Sequence, residues 1–304
     1  MPPRFRKQDF LQVLHIPKTG TSINWFLHDY FDNCSTNGTT PCPKFLKTVC
    51  FIRPLQQTRS SVTFVCWQFE EQKEGLCNGR LFSCAGHTVS PTLPHGTITA
   101  RTNLVTMLRH PWYRLQSNYF YLKSNPSSKI LGPEINETHL LKTVNNVYQF
   151  SAYPGIANCA TKMLNGIQCG VAVDVDETHL GIAKEVLSAS LFFGLTEYFK
   201  TSVCMLSWMY GGEVLSYHFK KHREGNYVKR TMREALSDEQ LAAFLHRERF
   251  DLSLYAFAED IFQHRLQLID CPNIDISSPT NTKSQAGNDI SVPPNGQLSA
   301  ASTT

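Results

Sequence analysis

An apolar run that ends in a short turn of small hydroxyl residues constrains the fold most strongly. Apolar residues dominate positions 10–16 and predict a short buried strand, and the pattern over about 21–31 predicts an amphipathic helix. Between them, backbone N–H groups at the helix start, the helix dipole and the charge of Lys18 would form an anion site. The G-x-x-x-x-G-K-[ST] spacing of a Walker A loop is absent. The residues of the turn are Lys18, Thr19, Gly20, Thr21 and Ser22.

A second strand-to-helix junction follows further along the chain. Residues 103–108 predict another buried strand, and Pro111 suits the first turn of a helix predicted over 111–123. Arg109 at the strand end and Ser117 on the helix are able to converge on one phosphate, the arginine as a forked donor and the serine as a hydroxyl donor. Either junction alone is typical of an ordinary strand–helix connection, so the interpretation depends on the pair.

Together the two junctions resemble the 5′- and 3′-phosphate sites of sulfotransferases, whose donor is 3′-phosphoadenosine 5′-phosphosulfate (PAPS). The resemblance implies that the turn beginning at Lys18 binds the 5′-phosphosulfate, and that Arg109 and Ser117 bind the 3′-phosphate. Lys18 would also stabilise the phosphate oxygen that leaves when PAPS becomes 3′-phosphoadenosine 5′-phosphate (PAP). The family usually has Asp directly after this arginine, and His110 stands at that position here. The cap or ion pair made by that Asp must therefore come from another residue.

Three further segments resemble one branch of the family, the heparan sulfate 6-O-sulfotransferases. Residues 81–87 are similar to the segment with the catalytic histidine, 191–199 to a Phe-Phe-Gly-Leu-Thr-Glu stretch, and 251–262 to the C-terminal helix. All the matching segments keep the family's order and extend from residue 13 to about residue 267. The resemblance implies a Golgi-type carbohydrate O-sulfotransferase that acts on the 6-hydroxyl of glucosamine in a heparan-sulfate-like, anionic polysaccharide.

His87 is the candidate general base, because a sugar hydroxyl needs a proton acceptor and histidine titrates near neutral pH. The chain has 11 histidines, and His87 is distinguished by its place in the segment that resembles the catalytic one. His95 and His110 are the reserves. Sulfuryl transfer needs no metal clamp, so we assign no metal ligand.

The segment 153–164 supports two interpretations. It resembles an Asn-x-x-Thr-x-x-Leu stretch that many glycan sulfotransferases place over the bound nucleotide, which implies donor contacts for Thr161 and Lys162. It is equally typical of a helix capped by Asn158, with apolar core residues behind the cap. The sequence leaves both interpretations open.

Strand-like and helix-like segments alternate along the chain, and this alternation predicts an α/β fold with a central, mostly parallel sheet and helices on both faces. The resemblance implies the P-loop-like sulfotransferase fold. One of the predicted helices spans 139–150. Residues 1–271 are expected to form a single sulfotransferase domain, and 272–304, rich in Ser, Thr, Asn and Pro, a disordered tail.

The cysteines favour an oxidising compartment. Ten cysteines are present; six are crowded between Cys34 and Cys84, and Cys159 and Cys169 are a further close pair. No C-x-x-C spacing occurs, so disulfides are a better interpretation than a metal site. We therefore expect a glycoprotein in the lumen of the secretory pathway, and the resemblance to Golgi-type sulfotransferases implies the Golgi. Its sequons for N-glycosylation begin at Asn33, Asn37 and Asn136.

Composition excludes few classes of protein. A chain of 304 residues that is 41% hydrophobic can bury a substantial core, and a formal charge of +4 suits an anionic nucleotide and an anionic polysaccharide as well as it suits simple solubility. We expect no nucleic-acid partner. No apolar run reaches membrane-spanning length, and the basic N-terminus lacks the apolar segment of a signal peptide. Membrane association is expected only if an N-terminal anchor is missing from this chain.

Three alternatives stay open from the sequence. The same donor site could serve another acceptor, such as a uronyl 2-hydroxyl or an algal-type polysaccharide. A P-loop kinase would also combine strand, phosphate loop and helix, but it would require Mg²⁺ ligands, and Asp174 and Asp176 lie in a stretch typical of an edge or a turn. A glycan-binding protein that has lost its activity is the third alternative, against which the presence of Lys18, His87 and Arg109 argues.

Overall fold

The coordinates are a computed structural model. The structure describes residues 12–14, 16, 18–19, 50–54, 64–68, 82–84, 102–126, 128, 130–132, 134–210, 219 and 229–269. The predicted helix over 21–31 and the predicted tail over 272–304 lie outside these residues.

Two small sheets account for the strands of the described chain. The strands are β1 (Gln12–Leu14), β2 (Cys50–Pro54), β3 (Phe64–Gln68), β4 (Phe82–Cys84), β5 (Thr102–Leu108) and β6 (Ser190–Leu195). The first sheet has the order β1-β5-β6 and is parallel throughout, as the sequence predicts. In the second sheet β2 pairs antiparallel with β3 and parallel with β4. Since β4 also contacts β1, the two sheets are neighbours.

Helices make up most of the described chain, which is an α/β protein with a small parallel sheet. They are α1 (Pro111–Ser124), α2 (Glu137–Thr143), α3 (Val147–Ser151), α4 (Cys159–Leu164), α5 (Glu177–Ala189), α6 (Phe199–Tyr210), α7 (Met232–Ala235), α8 (Asp238–Arg247) and α9 (Arg249–Leu266). Helices α5, α6 and α9 contact β6, and every residue of that strand is buried. Burial along the whole strand is typical of a parallel strand covered by helices.

Capping side chains decide where several helices begin. Ser237 accepts a hydrogen bond from the Gln240 N–H in a capping box at the start of α8. The prediction of a single helix over 139–150 is wrong, because one helix ends at Thr143 and a second begins at Val147. The Asn146 side chain accepts a hydrogen bond from Gln149 N–H (2.9 Å) and starts α3 instead.

The side chains of Asp251 and Asn158 each cap the other residue's helix at the junction of α4 and α9. The Asp251 carboxylate accepts hydrogen bonds from the N–H groups of Ala160 (3.0 Å) and Thr161 (2.8 Å) at the start of α4. In return, Asn158 accepts a hydrogen bond from Asp251 N–H (3.2 Å) in the first turn of α9. Asn158 thus stands at the predicted cap position of α4, but its side chain serves the neighbouring helix.

A cluster of charged side chains is buried at the same junction. Arg114 of α1 is 1% exposed, and its Nη2 lies 3.6 Å from Asp251 Oδ2 and 3.8 Å from Glu248 Oε2. Burial, offset in part by the Arg114 charge, raises the pKa of Glu248 to about 7. The cluster therefore ties α1 to α4 and α9 through charges that cannot be hydrated.

The loop after α4 is closed by a disulfide and by a buried ammonium group. Cys159 and Cys169 are bonded to each other, as their close spacing suggested, and Cys204 is also disulfide-bonded. Lys162 is 1% exposed, and its Nζ donates to the carbonyl oxygens of Gly155 (2.7 Å), Cys169 (2.6 Å) and Val171 (2.9 Å). Burial lowers the pKa of Lys162 to about 8, which leaves the group charged at pH 7.

Replacement of Asp251 by alanine should destabilise the protein strongly. The change leaves two α4 N–H groups without their acceptor and removes a carboxylate that compensates the buried Arg114. We expect the free energy of unfolding, measured with urea, to fall by about 3–5 kcal/mol. Asp260→Ala, an exposed change on the same helix, is the control and should alter it by less than about 0.5 kcal/mol. A loss below about 1 kcal/mol for Asp251→Ala would contradict this account of the cluster.

Candidate anion-binding site

The carboxyl ends of the three parallel strands meet at one place. Lys18 follows β1, Arg109 follows β5 and Thr196 follows β6. Arg109 Nη1 donates a hydrogen bond to the carbonyl oxygen of Lys18 (3.2 Å), so the two junctions predicted to share a ligand are in direct contact. This edge is where ligands bind in parallel α/β sheets.

Thr196 joins the strand ends through its hydroxyl and its main chain. Its hydroxyl lies within hydrogen-bond range of the carbonyl oxygens of both Thr19 and Leu108. Its N–H donates to the same Leu108 carbonyl (2.9 Å). The turn after β1 is therefore held against the ends of β5 and β6 by hydrogen bonds that do not involve a ligand.

Lys18 has a backbone conformation that is rare for its residue type. Its φ of 63° is in the left-handed region, which a side chain with a Cβ adopts at a cost of about 1 kcal/mol or more. The Arg109 hydrogen bond to the Lys18 carbonyl helps to hold this conformation. The Lys18 ammonium lies 3.9 Å from the centre of the Tyr121 ring, a cation–π contact with α1. This contact holds the Lys18 charge against α1.

Thr19 closes the turn on itself. Its N–H and its hydroxyl both donate to the carbonyl oxygen of Ile16, at 3.4 and 2.8 Å, and its side chain is buried. In this structure Thr19 shapes the turn and does not present its hydroxyl outward. Gly20, Thr21 and Ser22 lie outside the described residues.

Glu197 supplies the cap and the ion pair that the family obtains from the Asp after its arginine, a position held here by His110. Its Oε2 accepts hydrogen bonds from His110 N–H (3.3 Å) and from the Tyr255 hydroxyl (2.8 Å). Its Oε1 lies 3.9 Å from Arg109 Nε. One carboxylate thus supports the start of α1 and flanks Arg109. This role is not among the predictions from the sequence, although Glu197 lies in the segment 191–199 that resembles the family.

Burial changes the proton affinity of two groups around Glu197. It lowers the pKa of His110 to about 4, and the positive charge of Arg109 acts in the same direction. The neutral His110 ring lies between the rings of Tyr113 and Tyr255, with both centroid distances 5.4 Å. Burial, reinforced by the Glu197 charge, raises the pKa of Tyr255 well above its usual value, so its hydroxyl keeps the proton that it donates. His110 is accordingly poorly suited to carry a charge.

Ser117 and Tyr121 lie one turn apart on the same face of α1, and Tyr121 contacts Lys18. Ser117 is 8% exposed, and its hydroxyl makes no hydrogen bond within the described part of the chain. Its predicted contact with a phosphate stays a prediction. Tyr121 was not singled out from the sequence; the spacing of four residues from Ser117 was the available signal.

The other predicted site residues are not brought to this edge by any described contact. The Thr161 hydroxyl donates to Asp251 (2.8 Å), and the Lys162 ammonium is surrounded by carbonyl oxygens. Of the two interpretations of that segment, these contacts favour the structural one. His87 and His95 lie outside the described residues.

The charges at the edge favour an anion. Lys18 and Arg109 bring two positive charges, while Glu197 brings one negative charge whose Oε2 is already occupied by two donors. Arg109 Nε is buried and has no hydrogen-bond partner among the described residues, although an anion acceptor would satisfy it. Within the same residues, no group of three or more His, Cys, Asp or Glu side chains is arranged to hold a metal ion.

No family model matches the chain, and no curated protein sequence matches it.

The low pKa of His110 predicts a specific dependence of stability on pH. Between pH 6.5 and 4 the unfolded chain binds a proton at this position that the folded protein does not, so stability falls as pH falls. From pH 7 to pH 5 this group should remove about 2 kcal/mol from the free energy of unfolding. The loss should be absent in His110→Asn and retained in His139→Asn, whose ring is exposed on α2. Equal losses in wild type and His110→Asn would contradict the assignment.

Proposed function

We propose that this protein is a PAPS-dependent carbohydrate O-sulfotransferase with the P-loop-like sulfotransferase fold, in which helices cover both faces of the parallel sheet. The observation that supports the proposal most directly is the hydrogen bond from Arg109 to the Lys18 carbonyl (3.2 Å), because it joins the two motifs that resemble the phosphate sites of that family. The guanidinium of Arg109, whose Nε makes no hydrogen bond among the described residues, and the hydroxyl of Ser117 suit the 3′-phosphate.

The residues present would divide the work of sulfuryl transfer. PAPS supplies the sulfuryl group and a phosphate leaving group. The acceptor hydroxyl oxygen forms a bond to sulfur while the bond from sulfur to the bridging phosphate oxygen breaks, and negative charge grows on that oxygen. The Lys18 ammonium would stabilise this charge, and His87 would take the acceptor's proton. As in phosphoryl transfer, positioning and charge stabilisation carry the reaction.

The acceptor that we propose is the 6-hydroxyl of glucosamine in a heparan-sulfate-like polysaccharide, in the lumen of the Golgi. The disulfides of Cys159–Cys169 and Cys204 support an oxidising compartment. Asn136 is exposed at the start of α2, where a glycan on its sequon would meet solvent. Among the described helices, none combines the length and the apolar character that a membrane span requires. Uronyl 2-O or algal-type acceptors would use the same donor site.

A P-loop kinase is the second candidate, because Glu197 follows a parallel strand and lies beside the phosphate turn. In a kinase such an acidic residue would help to bind Mg²⁺. The contacts of Glu197 argue against this role, since its carboxylate accepts from Tyr255 and His110 and flanks Arg109. Binding of the nucleotide without Mg²⁺ separates the two candidates.

The donor site predicts a division of labour between Arg109 and Lys18. PAP should bind without Mg²⁺, and calorimetry on Arg109→Ala should show PAP affinity reduced about 10- to 100-fold, since a charge-assisted hydrogen bond is lost. Lys18→Ala should instead lower kcat with labelled PAPS by about 10²-fold or more, because its charge matters most in the transition state. Lys200→Ala, an exposed change on α6, is the control. Unchanged PAP affinity in Arg109→Ala, or an absolute need for Mg²⁺, would overturn the proposal.

The general base is tested by His87→Ala. We expect PAP affinity close to that of wild type and a turnover about 10²–10⁴-fold lower, the usual effect of losing a positioned base. The wild-type rate should fall as pH drops through the pKa of an ordinary histidine, about 6.5, because only the neutral ring accepts a proton. A folded His87→Ala protein with wild-type turnover would exclude this base, and His95 would be tested next.

A further inference from the structure

A cavity of about 530 Å³ lies on a different face of α1 from the one that contacts Lys18. Trp112 and Tyr119 of α1 line it, together with residues of the α2–α3 connection, α3, α7 and α8. Its volume is within the range of about 300–1,000 Å³ that is typical of small-molecule sites. No step of the proposed sulfuryl transfer uses any of its residues.

The described lining combines three kinds of group. Phe120 and Tyr148 bring partly exposed aromatic rings, and Asn145 and Gln240 bring amides. Lys123 and Arg230, both exposed, bring positive charges. Among the described residues that line the cavity, none carries a carboxylate.

Two features show that the cavity is built and not a chance depression. The carbonyl oxygen of Arg230 accepts hydrogen bonds from Trp112 Nε1 (2.8 Å) and Gln116 Nε2 (2.5 Å), and its N–H donates to Gln116 Oε1 (3.2 Å). The main chain of Arg230 is therefore fixed while its side chain is exposed. Tyr119 is 3% exposed, and its buried hydroxyl has no hydrogen-bond partner within the described chain.

These groups match the chemistry of an anionic sugar. Aromatic rings pack against the apolar faces of pyranose rings, and amides bond to ring hydroxyls in either direction. Ammonium and guanidinium groups bind carboxylates and sulfates, and a lining without carboxylates repels neither. A neutral apolar ligand would leave both cations unused.

We propose that this cavity is a binding site for an anionic oligosaccharide, separate from the anion site at the strand ends. Lys123 and Arg230 bind its carboxylate or sulfate groups, and the ring of Tyr148 packs against a sugar ring. The protein would hold a glycan chain in this cavity whether or not it transfers a sulfuryl group at the strand ends.

The test is calorimetry with size-defined oligosaccharides on the full chain. The probes are a heparin-derived tetrasaccharide, which carries sulfates and carboxylates, a hyaluronan tetrasaccharide, which carries carboxylates only, and neutral maltotetraose. We expect both anionic probes to bind and maltotetraose to bind at least tenfold more weakly. Lys123→Ala, Arg230→Ala and Tyr148→Ala should each weaken heparin tetrasaccharide binding about tenfold, with PAP affinity unchanged.

Arg233→Ala is the matched control, because Arg233 is exposed on α7 and does not line the cavity. It removes the same charge and should change tetrasaccharide binding less than twofold. Thermal unfolding of each variant checks that the fold is kept; Arg230→Ala leaves the main-chain hydrogen bonds to Trp112 and Gln116 in place.

Several results would overturn the proposal. Equal binding of neutral and anionic probes would remove the role of the cations. An equal loss in Arg233→Ala would show that the general surface charge binds the probe. Loss of binding in Lys18→Ala with none in the cavity variants would place the oligosaccharide at the strand ends.

Cavity-dependent binding in a protein that neither binds PAP nor transfers sulfate would uphold this inference and refute the proposed function.

Discussion

The carboxylate of Glu197 holds together the three elements on which the anion site depends. It accepts from His110 N–H at the start of α1 and from the Tyr255 hydroxyl of α9, and it lies 3.9 Å from Arg109 Nε. Arg109 in turn supports the unusual backbone of Lys18 through its carbonyl. Because these groups are largely buried, each contact is stronger than it would be in water, and the loss of one would leave a polar group unsatisfied. The cationic site therefore depends on an anion that lies behind it.

Buried charges around Arg114 also fix the orientation of α1, and this matters more than their contribution to stability. Burial of an ion pair costs desolvation that its attraction often only offsets, whereas loss of one partner is costly. Arg114 lies near both Glu248 and Asp251, yet none of its guanidinium nitrogen atoms has a hydrogen-bond partner among the described residues. Its contribution is thus electrostatic and holds α1 in one rotation about its axis. That rotation decides which residues of α1 meet Lys18.

Sequence reasoning succeeded where a local pattern decides the structure and failed where distant residues do. The strand and helix around Arg109 follow from an apolar run and a proline at the first turn of the helix, both local signals. The division of 139–150 into two helices is an exception, since it was not predicted although the capping preference of Asn146 is a local signal. The role of Glu197 could not be predicted, since its partners come from α1 and α9 and only the fold brings them together. A donor contact for Lys162 was one of two interpretations and came from the resemblance of its segment, while burial of its ammonium among carbonyl oxygens is invisible in a sequence.

The helical period explains how α1 contacts three different parts of the protein. Successive residues of α1 are rotated by about 100°, so positions three or four apart share a face and adjacent positions do not. Tyr121 meets Lys18, Arg114 turns to the buried carboxylates, and Trp112 and Tyr119 line the cavity. Because the buried pairs prevent α1 from rotating, a ligand in the cavity and an anion at the strand ends would each meet a fixed surface. The two sites would then share a rigid helix without sharing a side chain, so that a glycan chain and a nucleotide could be held together.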